Sequence, residues 1–518
     1  MKKKLLPALI VTGLIILVVI IMGITALINK YTPTKKTEDL KEYFNISSDD
    51  EAALIVDNEL SDYKAKIIDK KIYVDYKFVH DSLNSRFYWD ANENVLLYTT
   101  ASDIISAAAD SNSYSVTRQT NDFGYPIVKA TSDSALIALD YVKQYSNITF
   151  KSYDDPARIV ITSKWDEIDS ATVSKSTQVR VRGGIKSPIL KEVKKDDKIT
   201  ILDSGDKWDK VATEDGVIGY IKRKALSESK KTKLTNPDYE EETFTHIKKD
   251  KDICLAWNQV TSHSANNKVP QVISSTKGIN VMSPTWFYLN DNNGNLADIA
   301  SKDYVSYCHS QGIEVWGLFS NFENTDVDAA YVLTHTSTRT TLINQIMSAA
   351  FNYELDGVNI DFENITEAAY GDSYIEFIRE LAIKCHNNGI SLSVDVTVPA
   401  SFNKFFNRSD MANFADYIVI MGYDEHYKGS DAGSVSSIPW VTEGVESTLK
   451  EVPADQIILG MPFYTRIWEL TPKEDDDAVT DTEDQSKYTV ASQVYSMDAA
   501  AAQLATNNAT CLLYTSPS

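Results

Sequence analysis

The run Leu355-Asp356-Gly357-Val358-Asn359-Ile360-Asp361-Phe362-Glu363 has the residue types and the spacing of a chemical site. Side chains alternate faces along a β-strand. Asn359, Asp361 and Glu363 therefore share one side, and Val358, Ile360 and Phe362 take the other. Three polar groups then converge at the carboxyl end of an otherwise apolar strand, which is where a parallel α/β barrel carries its catalytic groups. Burying such a cluster costs free energy unless it is hydrogen-bonded or does chemistry. The segment reads either as a catalytic carboxyl cluster or as an acidic, ion-paired loop behind a core strand.

A catalytic reading needs a barrel to hold the cluster, and from Lys249 onward strands and helices alternate as a barrel requires. Strands are expected at Ile253–Trp257, Val281–Phe287, Glu314–Phe319, the run above, Leu392–Thr397, Tyr417–Asp424 and Ile457–Tyr464. Apolar residues at helical spacing mark Thr341–Phe351 and Tyr374–His386. Past Tyr464 come an acidic stretch, Glu474–Asp477, and a helix around Met497–Ala505, with no convincing eighth strand. The expected fold class is α/β, a TIM (β/α)8 barrel truncated before strand 8. Its open form would expose the edges of strands one and seven.

The same run resembles the signature D-G-x-D-x-D-x-E of the family 18 glycoside hydrolases, the chitinases and their relatives. Asp356, Gly357, Asp361 and Glu363 match it, and Asn359 stands where most members carry the middle Asp. That family is an exception to two-carboxylate glycoside hydrolysis and works by substrate assistance. The resemblance implies that Glu363 protonates the glycosidic oxygen while the sugar's own N-acetyl carbonyl attacks the anomeric carbon. Asp361 would orient the acetamido group, and a neighbouring carboxylate should raise the pKa of Glu363. Tyr423 and Asp424 fit the family's Met-x-Tyr-Asp, implying that Tyr423 donates to the acetamido oxygen and Asp424 holds the same sugar. Tyr464 and Arg466 of the Phe-Tyr-x-Arg-x-Trp run are expected to line the cleft, and Trp286 and Trp468 to stack on sugar faces. Asn359 can hydrogen-bond Asp361 but cannot accept its proton, so a changed pH profile is expected instead of a dead site. No metal or organic cofactor is implied.

Of 518 residues, 73 are acidic and 51 are Lys or Arg, for a net charge of -22 without a basic patch, which argues against nucleic acid as a partner. Lys2-Lys3-Lys4 precede an uncharged, mainly apolar stretch from Leu5 to Ile28, long enough to cross a bilayer. The flanking lysines favour an inside amino terminus and an extracellular remainder, although a cleaved signal peptide is the alternative. Four cysteines show no paired spacing and read as buried thiols.

Between anchor and barrel, two stretches about sixty residues apart each read as a short helix, a strand, an Asp-rich turn and a second strand. This duplication loosely resembles the amino-terminal repeat of copper-amine-oxidase-like surface proteins, without copper ligands. Short strands from Ala171 to Leu226 resemble a bacterial Src-homology-3-like domain. The expected organisation is an anchor over 1–36, a duplicated α+β stalk over 37–168, the small all-β barrel over 169–228, a polar linker over 229–244 and the catalytic barrel over 245–518. The sequence points to a membrane-anchored glycosidase acting beside N-acetylglucosamine in peptidoglycan, resembling spore-cortex and cell-wall members of the family. A chitinase or a sugar-binding, non-catalytic relative are the alternatives.

Overall fold

The computed structural model describes residues 5–363, 365, 370–473 and 485–506. The chain forms two compact units. One comprises residues 1–85, 110–112 and 125–241, and the other 86–109, 113–124 and 242–518.

The second unit is built on a parallel sheet whose seven strands lie side by side in chain order. They are Leu255–Asn258, Val281–Leu289, Glu314–Ser320, Gly357–Asp361, Ser391–Thr397, Tyr417–Met421 and Ile457–Gly460. Strands covered on both faces read as continuous apolar runs, and Tyr417–Met421 is buried at every position. Helices Thr336–Tyr353 and Gly371–His386 flank the fourth strand in sequence and share with it the main core. Val358, Ile360 and Phe362 point into that core, and the Phe362 ring stacks 5.5 Å from Phe377.

One expectation about the end of the barrel needs correction. The seventh strand stops at Gly460, not Tyr464. Pro462 follows at once, and a residue without an N–H cannot continue a ladder inside a sheet. Tyr464–Pro472 instead pairs antiparallel with Tyr488–Ser496, and a helix, Met497–Thr506, follows. Among the described residues there is no eighth barrel strand. The first and seventh strands approach through Gly460, where an added Cβ would sit 2.8 Å from the Trp257 ring. Met461 and Phe463, just past the seventh strand, stand exposed.

Residues 86–109 and 113–124, which the duplication groups with the stalk, lie in the same unit as the barrel. They form a five-stranded antiparallel meander between Phe87 and Asp122. Buried polar bonds tie it to the barrel helices. Asp90 accepts from the Thr336 N–H and hydroxyl at 2.7 and 2.6 Å, capping one helix, and Thr99 donates to Glu376 at 2.8 Å on the next. Behind these, Arg339 donates to Glu380 at 2.8 Å, and Arg379 bridges Glu376 and Asp410. Burial of these charges is tolerated because each is paired and hydrogen-bonded.

In the first unit, helix Leu5–Tyr31 contains a 23-residue stretch, Leu9–Tyr31, of mean hydropathy 2.9, long and apolar enough to cross a membrane by length and composition. Helix Leu139–Tyr145 precedes strands Thr149–Tyr153 and Arg158–Thr162 in this unit, whereas helix Tyr76–Ser82 precedes strands Phe87–Asp90 and Val95–Thr99 of the other unit and of a different sheet. This unit holds two seven-stranded sheets: one takes its strands from between Glu51 and Thr162, and the other, antiparallel, runs from Glu167 to Lys233. Its last strand, Lys230–Lys233, pairs with Glu167–Thr172, so part of the expected linker is an edge strand whose lysines stay in water. Phe44, Ala53 and Ile55 share one core with Val179, Val211 and Ile221, so the two sheets of this unit pack together.

Cys308 and Cys385 are buried on helices as expected, whereas Cys254 is exposed just before the first barrel strand. Cys511 lies outside the described residues.

Candidate active site

Inside the barrel the polar groups form a layer centred on Asn359. Its amide donates to the Ser393 hydroxyl at 3.0 Å and to Asp395 Oδ1 at 2.7 Å. Its carbonyl accepts from the Trp257 indole at 3.0 Å and from Ser283 at 3.0 Å. An amide has two donor hydrogens and two acceptor lone pairs, so all four are used. The layer draws on the first, second, fourth and fifth strands, as inward side chains of a barrel do. The expected bond from Asn359 to Asp361 is therefore replaced by one to Asp395.

The carboxyls lie one step toward the carboxyl ends of the strands. The fourth and fifth strands pair in parallel, Asn359 with Ser393 and Ile360 with Val394, a register that carries on to Asp361 beside Asp395. Asp395 is 2 % exposed, and its pKa is pushed up to about 8, chiefly by burial; the hydrogen bond from Asn359 opposes this. Asp361 is held well above the usual carboxylate range, first by burial and then by the charges of Asp395, Glu363 and Glu323. Its Oδ1 is buried without a hydrogen-bond partner. Glu363 stands at the mouth, with its backbone N–H held by the Asn321 side chain at 3.1 Å. Its pKa is raised by partial burial and by the nearby Asp424 and Glu323. Glu323 in turn is fixed by the Ser320 hydroxyl, which donates to it at 2.6 Å. The raised Glu363 pKa agrees with expectation, although desolvation leads and Asp424 and Glu323 supply the charge.

Tyr423 follows the sixth strand, its ring edge-on to Trp257 and to Tyr464, each at 6.2 Å between centroids. Burial and the surrounding carboxylates Asp395, Asp361 and Glu363 raise its pKa, so its phenol stays protonated and can donate. Asp424 takes a left-handed backbone, φ +60°, and its carboxylate is held by Arg466 at 3.3 Å. Burial and a hydrogen bond to Asp424 raise the pKa of Tyr464. Tyr464, Arg466 and Trp468 alternate along one face of the antiparallel hairpin. The hairpin thus brings Tyr464 and Arg466 to the mouth. Trp468 spends its indole N–H on the Gly433 carbonyl at 2.9 Å.

Trp286 is elsewhere. It is fully buried on the helix side of the second strand, bonded to Asn266 at 2.8 Å and packed edge-on against Tyr304. The expected sugar-stacking role fails because this side chain is shut inside the main core.

Residues 319–516 match Glycosyl hydrolases family 18. The chain carries a family 18 glycosyl hydrolase domain. Relatives from Bacillus subtilis (strain 168) include the uncharacterized glycosylase YvbX, 25% identical over 194 residues, 35% of this chain and 55% of that protein. The putative sporulation-specific glycosylase YdhD is 32% identical over 141 residues, 26% and 33% of the respective lengths. A cortical fragment-lytic enzyme is 26% identical over 187 residues, 34% and 43% of the respective lengths. The chain spans about a third to a half of the length of these relatives.

Sequence reasoning passed over four residues that the structure brings to this cluster: Trp257, Asn321, Glu323 and Asp395. A signal for Asp395 was present, because Ser393, Asp395 and Thr397 alternate with Leu392, Val394 and Val396 just as the polar residues of the fourth strand do. Asn321 and Glu323 lie past the end of a strand, where alternation no longer says which way a side chain turns.

Proposed function

We propose that this chain is a retaining hydrolase that cuts glycosidic bonds beside N-acetylglucosamine in cell-wall peptidoglycan, held at the outer face of a membrane by its apolar amino-terminal helix. The observation that carries the reaction is the Glu363 carboxyl, raised in pKa and open at the barrel mouth, two residues beyond a buried Asp361. Glu363 donates its proton to the glycosidic oxygen. The C1–O bond breaks as the acetamido carbonyl oxygen bonds to C1, giving an oxazolinium ion. Water then attacks C1 and returns a proton to Glu363, so two inversions leave the configuration retained. Asp361 orients the acetamido N–H and balances the developing positive charge, and the Tyr423 hydroxyl donates to the acetamido oxygen. Asp424, fixed by Arg466, binds a hydroxyl of the same sugar, and Tyr464 with Trp468 lines the groove.

Similarity to a cortical fragment-lytic enzyme supports the peptidoglycan substrate, and the 23-residue apolar stretch supports the anchor. The Glu167–Lys233 sheet, placed between anchor and catalytic domain in sequence, is assigned to wall binding. The full chain incubated with purified peptidoglycan should release fragments with N-acetylglucosamine reducing ends, read by mass spectrometry. Glu363→Gln should cut the rate by about 10²- to 10⁴-fold with sugar binding retained. Unchanged turnover in that variant would overturn the assignment, and release from chitin oligosaccharides alone would move the substrate to chitin.

A further inference from the structure

Asp395 has no part in the mechanism above, yet it is the most deeply buried carboxyl of the site. Three observations locate its role. The strand register sets it beside Asp361 across one inter-strand spacing, about 4.8 Å between backbones. The Asn359 amide binds its Oδ1 at 2.7 Å, which fixes its orientation. Asp361 Oδ1, on the other side, is buried with no hydrogen-bond partner. Two carboxylates on adjacent strands of a water-poor interior, one feeling the charge of the other, ionise together only at a large cost, and an unpaired buried carboxylate oxygen adds to it.

We propose that Asp361 and Asp395 share a single proton, and that Asp395 is the positioning residue that takes this proton from Asp361 when positive charge develops on the bound sugar. This rests on the proposed hydrolase reading and deepens it. The step is balanced within the pair: the O–H bond on Asp361 breaks, one forms on Asp395, and no proton leaves the site. Asp361 becomes anionic beside the oxazolinium ion, and the proton returns when that charge is discharged. The acidic partner therefore sits across the sheet on strand five, while position 359, on the same strand as Asp361, holds an amide that wires the two strands together.

The groups acting on the pair are known from every side. Asn359 donates to Asp395, and the Trp257 indole donates to Asn359 behind it. Glu363 and Glu323 act on Asp361 through their charge. Tyr423, just past strand six, and Tyr374, on the helix Gly371–His386 after strand four, feel both carboxyls. None of these is cationic. Burial raises both members of the pair, Asp395 to about 8, consistent with a proton retained at neutral pH.

The test compares the full chain with Asp395→Asn, a change that keeps the shape and can still accept from Asn359. Infrared difference spectra across pH 5 to 9 read protonated carboxyls directly and require no substrate. The native chain should hold a protonated buried carboxyl at pH 7 that Asp395→Asn lacks. Removing a carboxylate lowers the proton affinity of its neighbours, so the alkaline limb of the activity profile should shift to lower pH, with kcat reduced more than KM. An unchanged infrared signal, or a rate loss with the limb unmoved, would overturn the shared proton and leave Asp395 merely structural. Loss of activity in Glu363→Gln alongside an unmoved limb in Asp395→Asn would refute only the pair. Full activity in Glu363→Gln would refute the hydrolase reading itself, while the infrared result would still decide the pair.

Discussion

Replacing Asn359 by Ala tests whether the amide layer is the structural keystone its hydrogen bonds suggest. The side chain is fully buried and makes four polar contacts, to Trp257, Ser283, Ser393 and Asp395. The two serine hydroxyls can rotate toward other acceptors, and Ser393 already lies 3.3 Å from the Val358 carbonyl. The Trp257 indole N–H and Asp395 Oδ1 have no such freedom. Leaving two fixed groups unsatisfied at about 1–3 kcal/mol each predicts a loss of about 2–6 kcal/mol. A water entering the vacated space with two to four partners would bring the loss toward the lower bound. Urea unfolding followed by tryptophan fluorescence, with calorimetry to separate the two units, measures the effect on the barrel transition. Asn359→Asp is the companion, since it keeps the shape but adds a third acid beside Asp395. It should fold and shift the alkaline limb of activity to higher pH, opposite in sign to Asp395→Asn. A barrel loss below about 1 kcal/mol for Asn359→Ala would refute the argument, because it would mean that the buried N–H and carboxyl find partners without the amide.

Trp286→Phe should leave kcat and KM as they are while destabilising the barrel by about 1–3 kcal/mol, because Asn266 Oδ1 loses its indole donor; a raised KM on oligosaccharides would restore Trp286 to the cleft. Arg339→Met removes the cation from a buried pair with Glu380 and should cost about 3–5 kcal/mol by denaturant titration. A neutral result there would mean that Glu380 is already protonated in the folded chain.

The catalytic face was legible in the sequence because alternation along a strand is a local property. Asn359, Asp361 and Glu363 must share one side of any strand they occupy, and Val358, Ile360 and Phe362 must take the core side, which is where the structure has them. Apolar runs bounded by turn residues gave the seven barrel strands for the same reason, apart from shifts of a few residues at their ends. Pro462 could have ended the seventh strand early on sequence grounds, since it lacks the N–H a ladder needs.

Only the tertiary structure decided what those side chains meet. Asn359 has the same local pattern whether it bonds Asp361 along its own strand or Asp395 across the sheet, and the inter-strand register alone selects the second. Trp286 had the composition of a sugar platform, but which face of the second strand lines the barrel depends on its pairing with both neighbours. The meander between Phe87 and Asp122 carries a repeat pattern that assigns it to the stalk, whereas burial of Asp90 and Thr99 against distant helix residues assigns it to the barrel unit. Periodicity reports which side of an element is apolar. The partner that covers it is chosen by contacts hundreds of residues apart, and these leave no trace in local spacing.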